Sequence, residues 1–169
     1  MSLGRSGVAE VKTEYAAPVA MTITLASLAD SSTAGRESLV VDNSVTKYLD
    51  ALVQLKVKPQ NSGSISAPSC IFVYAYASAD GGSDYPDKVT GANADITLDS
   101  PTNLKLLGVV YVSAIGTEYS SGPWSVAALY GGKLPEKWGI VVQNDCGTAL
   151  SATAGDHALE YQGVYATVG

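Results

Sequence analysis

Charged residues are scarce in this chain of 169 residues: Asp, Glu, Lys and Arg make up only 15% of it, against about 25% in an ordinary soluble domain. A chain with so few charges either encloses a large core or covers part of its surface with partners. The 10 basic and 16 acidic residues leave a net charge of −6. Because an acidic surface repels phosphate backbones, we expect no direct binding to nucleic acid.

Long apolar runs and helical periodicity are lacking as well. No stretch approaches the roughly 18 apolar residues that cross a bilayer, so no membrane contact is expected. Arg5, Glu10, Lys12 and Glu14 interrupt the apolar core that a signal peptide would need. We therefore expect the protein to be made and folded in a cytoplasm.

Residues that carry chemistry are few: the chain has one histidine and two cysteines. Cys70 and Cys146 match no metal-ligand spacing, and a reducing cytoplasm argues against a disulfide between them. His157 accompanies no G-x-S-x-G turn, so we interpret it as a structural residue at the start of the last strand. No phosphate loop or dinucleotide fingerprint is present either. The sequence thus predicts a protein that is not an enzyme and holds no cofactor.

Two weak candidates for chemistry remain. Asp80, Asp84 and Asp87 lie on one Gly-rich acidic loop, and loop carboxylates can hold calcium, but their spacing is not that of an EF-hand. A solvated acidic loop is the favoured interpretation. Glu118 and Glu136 could form a carboxylate pair that cleaves sugars, but neither belongs to a recognisable motif.

Alternation with a period of two is what the sequence does contain. Between residues 49 and 58, Ala51, Val53 and Leu55 alternate with polar residues, which predicts a half-buried strand. Residues 70–77 are apolar on both faces, so they predict a strand covered by a second sheet on one side and by a neighbour or loop on the other. Residues 8–11 could add one short strand. Further strands are predicted at residues 21–28, 39–41, 96–98, 104–115, 124–130, 138–142 and 158–168.

Short strands separated by turn residues, with no helical period, predict an all-β fold. We expect one antiparallel β-sandwich domain over residues 21–169, with jelly-roll-like connections, preceded by an extended N-terminal arm over residues 1–20. The segment 122–144, from Gly122 to Asn144, predicts a sheet corner followed by a buried strand.

The aromatic residues are skewed towards tyrosine, with ten Tyr and two Trp against one Phe. Such amphipathic rings line protein interfaces and carbohydrate sites alike. The residues predicted to form contact surfaces are Tyr74, Tyr76, Tyr85 and Tyr119, together with Arg36 and Glu37, which could pair with each other or across an interface.

Several segments together resemble a widespread group of small tailed-phage virion structural proteins. The resemblance consists in the order and spacing of these segments. It covers residues 21–165 and does not include residues 1–20. It rests on the segments Ala34-Gly35-Arg36-Glu37-Ser38, Tyr48-Leu49-Asp50, Tyr85-Pro86-Asp87, Gly122-Pro123-Trp124-Ser125-Val126-Ala127, Gly132-Lys133-Leu134-Pro135-Glu136-Lys137-Trp138-Gly139 and Ala152-Thr153-Ala154-Gly155-Asp156-His157.

The resemblance implies a subunit of a bacteriophage virion, such as a capsid decoration or cement protein, a collar component or a tail component. Such a protein acts through subunit packing without catalysis, and no catalytic residues are carried over from the group. Its expected partners are further copies of itself and other virion proteins such as the major capsid protein, with the arm 1–20 reaching an adjacent subunit. The alternative is a carbohydrate-binding module on a phage surface, whose partner would be a host-surface glycan.

Overall fold

The computed structural model describes residues 9–169, so the first part of the predicted arm, residues 1–8, lies outside the described residues. Strands dominate the described part, and the only helical segments there are three short 3₁₀ turns at Pro86–Lys88, Ala127–Tyr130 and Ala154–Asp156. The strands are β1 (Val11–Tyr15), β2 (Val19–Ala20), β3 (Ala34–Glu37), β4 (Val41–Asp42), β5 (Asp50–Val57), β6 (Cys70–Ser78), β7 (Ala94–Thr97), β8 (Lys105–Tyr111), β9 (Tyr119–Ser125), β10 (Lys137–Asp145) and β11 (Ala158–Val168).

The strands form two antiparallel sheets, which confirms the predicted all-β sandwich. In the first, called sheet A, the order is β1-β11-β5-β9, and β2 also pairs with β11. In the second, called sheet B, the order is β7-β3-β10-β6-β8, and β4 also pairs with β10. The jelly-roll connectivity and the division between an arm 1–20 and a domain 21–169 stay predictions.

The main core lies between the two sheets and follows the predicted alternation. On β5 the buried positions are Ala51, Val53, Leu55 and Val57, each with no exposed surface. They pack in one cluster with side chains of β10, among them Trp138 and Ile140. Trp138 meets Tyr161 of β11 edge-on, with 5.3 Å between the ring centroids. The buried strand predicted within residues 122–144 is thus confirmed as the centre of sheet B.

Sheet B is also covered on its outer face. The long segment between β6 and β8, residues 79–104, contributes β7 to the edge of the sheet, and its other residues fold back over the sheet and bury Val89 and Leu98 beside Ile96 of β7. Tyr76 and Val141 of the sheet complete this second, smaller core. The prediction that β6 needs cover on both faces is therefore confirmed, and the cover of the outer face is the chain's own loop.

Several predicted strands were wrong in whole or in part; the strand predicted at residues 39–41, for example, shares only Val41 with β4. Residues 21–28 contain no strand; Met21, Leu25 and Leu28 nevertheless pack into the main core. The strand predicted over residues 104–115 is shorter and lies at an edge of sheet B, so most of it is not fully buried. The apolar run 124–130 leaves β9 at Ser125 and continues as a 3₁₀ turn. Apolar composition therefore predicted burial but not backbone pairing at residues 21–28, whereas β8 pairs with β6 although most of its residues are not fully buried.

Candidate functional site

Two residues predicted for a contact surface lie inside the fold, so the prediction was wrong for them. Tyr76 has no exposed surface; its hydroxyl donates to the carbonyl oxygen of Ser38 at 2.7 Å, and burial raises the pKa of its phenol. Its ring lies across Gly139, where a Cβ would come within 2.3 Å of the ring. Glu37 is 1% exposed. Both side chains are buried under the loop that covers sheet B and form hydrogen bonds there.

The carboxylate of Glu37 binds the loop that covers this face. It accepts hydrogen bonds from the amide of Thr90 at 2.9 Å, the hydroxyl of Thr90 at 2.6 Å and the amide of Gly91 at 3.1 Å. A buried carboxylate is stabilised when donors of this kind replace its water. Glu37 therefore does not pair with Arg36, whose guanidinium lies 2.9 Å from Asp95.

The other predicted contact residues are half-buried and engaged by their own chain. The hydroxyl of Tyr74 donates to Gln143 at 3.2 Å. The ring of Tyr85 packs edge-on against Tyr76, 5.2 Å between centroids. The hydroxyl of Tyr119 accepts from the amides of Ser113 and Ala114 at 3.0 and 2.8 Å. A contact role for these three residues and for Arg36, and the carbohydrate-binding alternative, stay predictions.

Two of the three candidate calcium ligands, Asp80 and Asp87, form hydrogen bonds within the loop, whereas Asp84 is exposed. Asp80 accepts from the hydroxyl of Ser78 and from the amides of Ser83 and Asp84, and the bond from Ser78 contributes most to lowering the pKa of its carboxyl. No group of three or more carboxylate, His or Cys side chains within residues 9–169 is arranged to hold a metal ion. The structure does not bring Asp80, Asp84 and Asp87 together as ligands.

Asp87 is turned towards a different segment of the loop. Its carboxylate accepts from the hydroxyl of Thr102 and from the amide and side-chain nitrogens of Asn103, each of the latter at 3.0 Å. Burial by itself would raise the pKa of this carboxyl, but these hydrogen bonds together outweigh burial and the pKa lies below its usual value. The residue ties the start of the covering loop to its end.

The candidates for catalysis are also held in structural contacts. The Nε2 atom of His157 lies 2.9 Å from the carbonyl oxygen of Ser151, directly before β11, which agrees with the predicted structural role. Glu118 forms an ion pair with Lys56 at 3.5 Å, whereas Glu136 adjoins Asn43, whose amide donates to its carbonyl at 2.8 Å. The two residues thus adjoin different segments of the chain. Cys70 and Cys146 are buried free thiols.

A two-stranded ribbon at the margin of sheet A is poorly covered: every residue of β1 is exposed. Here β1 pairs with residues 164–168 of β11, from Val11 opposite Val168 to Tyr15 opposite Val164. We call β1 and residues 164–168 the terminal ribbon. On the other side of β11, β5 reaches only as far as Val164, so within the described chain the ribbon extends beyond the pairing with β5.

The outer face of the terminal ribbon is apolar and bare. Directly opposite residues of antiparallel strands share a face, and alternate residues change face. The face turned away from the core therefore carries Val11, Thr13, Tyr15, Val164, Ala166 and Val168. The exposed fractions are 68% for Val11, 57% for Tyr15 and 72% for Val168.

The base of the ribbon is fixed to the sandwich. Gly163 allows the ring of Tyr48 to pack directly on the strand, since a Cβ there would come within 2.4 Å of that ring. Tyr48 also lies against Tyr165 of the ribbon, 6.3 Å between ring centroids, and the amide of Leu49 donates to the carbonyl of Val164 at 2.7 Å. The ribbon is thus held in place at its base while both of its faces carry exposed residues.

The free edge of β1 presents backbone groups in a regular pattern. The amide of Ala16 donates to Gly163 and that of Gly169 donates to Glu10, so even-numbered residues of β1 face β11. The amides and carbonyls of Val11, Thr13 and Tyr15 consequently point to the opposite edge, where no strand of the described chain lies. Lys12 and Glu14 lie on the face of the ribbon opposite to Val11 and Tyr15.

No family model, curated protein or solved structure matches this chain significantly. Within the described residues, no helix is both long and apolar enough to span a bilayer. We therefore infer the function from the residues and the geometry described above.

Sequence reasoning missed the terminal ribbon as a candidate site, because it located only one of its two strands. The short strand predicted at residues 8–11 shares only Val11 with β1, whereas the last strand predicted at residues 158–168 is confirmed as β11. The pairing of the two ends brings together residues about 150 positions apart, and no local pattern reports such a contact. The signal that could have found it is the alternation of Val11, Thr13 and Tyr15 with Lys12 and Glu14.

Proposed function

We propose that this chain is a structural subunit of a bacteriophage virion, such as a capsid decoration, collar or tail component, and that it acts by packing against other subunits. The observation that carries this proposal is the terminal ribbon, a strand pair that is anchored to the sandwich and has one exposed apolar face and an unpaired edge. A two-stranded ribbon is only marginally stable in water without a packed face. Such an element suits a protein whose neighbours complete its surface.

The side chains that could carry chemistry support the same proposal. Asp87 and His157 are engaged in hydrogen bonds that hold loops, and Glu118 is paired with Lys56. The general base and the nucleophile of a hydrolytic site must lie within hydrogen-bond reach of each other. Within residues 9–169, neither the ring of His157 nor the carboxylate of Glu118 is hydrogen-bonded to a serine hydroxyl or a cysteine thiol. Burial of apolar surface and strand addition remain as ways for the protein to act.

The proposal is tested on particles purified from the source culture by density-gradient sedimentation. We expect peptide mass spectrometry to find this chain in the particle band, in an amount comparable with other subunits. The control is a soluble protein of the same lysate, which must be absent from that band. A chain that stays in the soluble fraction while the major capsid protein sediments would overturn the proposal.

A further inference from the structure

We infer that two copies of this chain associate through the free edges of their β1 strands, related by a two-fold axis that passes between the two Thr13 residues. This inference rests on the proposed function, because it names the partner of the terminal ribbon as a second copy of the chain. Sheet A of one copy would then join sheet A of the other copy into one continuous sheet across the axis.

The backbone of β1 is suited to this pairing. Val11, Thr13 and Tyr15 direct their amides and carbonyls to the open edge of sheet A. Two antiparallel strands centred on Thr13 place Val11 opposite Tyr15 of the second copy and Thr13 opposite Thr13. All of these are positions that exchange hydrogen bonds, so every open-edge group of β1 finds a partner.

Charge selects this register over its neighbours. With Thr13 on the axis, Lys12 lies opposite Glu14 of the second copy, and Glu14 lies opposite Lys12. A shift by two residues in either direction keeps backbone hydrogen bonding but places Lys12 opposite Lys12 or Glu14 opposite Glu14. Opposite charges on directly facing residues stabilise a strand pair, whereas like charges destabilise it by a similar amount.

The other face of the paired strands is complementary as well. Val11 faces Tyr15 of the second copy, and a β-branched residue facing an aromatic ring is a favourable cross-strand pair. The strongly exposed Val11 and Tyr15 side chains described above would then contact each other across the axis. The backbone edge, the charged face and the apolar face therefore all favour the same register.

Sedimentation-velocity centrifugation of the full chain tests the inference, over concentrations from about 1 μM to about 1 mM, because an interface built around one short strand is expected to be weak. We expect a species of twice the chain mass of 17.4 kDa to grow with concentration. A chain that remains monomeric at all concentrations would overturn the inference, whether because another segment covers the edge or because nothing pairs with it.

The backbone contribution is tested with Thr13→Pro. The amide of Thr13 faces the open edge, so proline removes a donor that the chain does not use internally, and proline is tolerated on edge strands in this orientation. We expect dimer formation to fall at least tenfold. Thr13→Val is the matched control: it keeps the amide and the shape of the side chain, so it should dimerise like the wild type. Equal dimerisation of Thr13→Pro would overturn the inference.

The register is tested by charge. Lys12→Glu and Glu14→Lys each place like charges opposite each other in a homodimer, so each should dimerise about tenfold more weakly than the wild type. Mixing the two variants restores opposite charges at both pairs, and the double variant Lys12→Glu/Glu14→Lys restores them in one chain. If neither restores association, the register is wrong. These variants change exposed residues, so the test does not depend on how Thr13→Pro folds.

The outcomes separate this inference from the proposed function. Dimers that respond to these variants, in a protein absent from purified particles, would refute the virion role and leave the pairing in place. If the chain is found in particles but its self-association is unchanged by the Thr13, Lys12 and Glu14 variants, the pairing is refuted and the virion role is kept.

Discussion

The outer faces of the two sheets differ in what covers them. On sheet B the segment 79–104 returns over the strands and is held by Glu37 and Asp87, so that Tyr76 is completely buried. On sheet A the terminal ribbon presents Val11, Tyr15 and Val168 to solvent. The same kind of apolar strand face is thus completed within the chain in one region and left bare in the other. In the first region, hydrogen bonds to the carboxylates of Glu37 and Asp87 hold the covering segment.

The largest effect is expected from a change within the covered face. Tyr76→Ala removes a fully buried ring and leaves a cavity beside Gly139, so we expect the free energy of unfolding to fall by about 3–5 kcal/mol. Urea unfolding followed by fluorescence measures the loss. The control Tyr76→Phe removes only the hydrogen bond to Ser38 and should cost about 1 kcal/mol. A loss below about 1 kcal/mol for Tyr76→Ala would contradict the described packing.

A smaller, pH-dependent loss of stability is expected from a change at Asp87, whose hydrogen bonds hold the covering loop. Asp87→Asn keeps a side chain that tolerates the left-handed backbone found there, with φ of 53°, but loses a charged acceptor. We expect the free energy of unfolding at pH 7 to fall by about 2 kcal/mol.

The pH dependence of this effect follows from the lowered pKa of Asp87. A carboxyl whose pKa is lower in the folded state contributes stability above its unfolded pKa, near 3.8, and loses that contribution as the pH falls through the folded value. The difference between wild type and Asp87→Asn should therefore shrink when unfolding is measured at decreasing pH below about 4. A difference that stays constant from pH 7 to pH 2 would refute the role of the charge.

The smallest effect on folding is expected on the bare face. Tyr15→Ala changes a side chain that is 57% exposed, so the free energy of unfolding should move by no more than about 0.5 kcal/mol. Self-association should nevertheless weaken, because Tyr15 faces Val11 of the second copy in the proposed pairing. Measuring unfolding and sedimentation on the same preparation compares the two properties. If Tyr15→Ala unfolds as easily as Tyr76→Ala, the contrast between the two faces is wrong.

The sequence predicted the strands whose side chains alternate or are continuously apolar. Strands β5, β6, β10 and β11 were located because burial on one or both faces imposes a pattern on the residues themselves. The segment 21–28 was mistaken for a strand because its apolar side chains enter the core while its backbone follows an irregular path. Composition reports burial there, and backbone pairing depends on partners distant in sequence.

The candidate site was less accessible to sequence reasoning. Glu37 and Tyr76 were predicted to lie at a contact surface, yet the returning loop supplies the donors for Glu37, and the carbonyl of Ser38 next to β3 supplies the acceptor for Tyr76. The terminal ribbon depends on pairing between the beginning and the end of the described chain. Neither the return of the loop nor this pairing leaves a local periodic signal.

The edge-on contact between Trp138 and Tyr161 gives the sandwich an optical consequence. Trp138 belongs to sheet B and is completely buried, whereas Tyr161 belongs to sheet A. Because the ring centroids are only 5.3 Å apart, excitation energy absorbed by Tyr161 is transferred efficiently to the indole of Trp138. Emission from Trp138 therefore depends on the separation of the two sheets, and its colour depends on whether water has entered between them. Loss of this transfer during unfolding therefore shows when the two sheets separate.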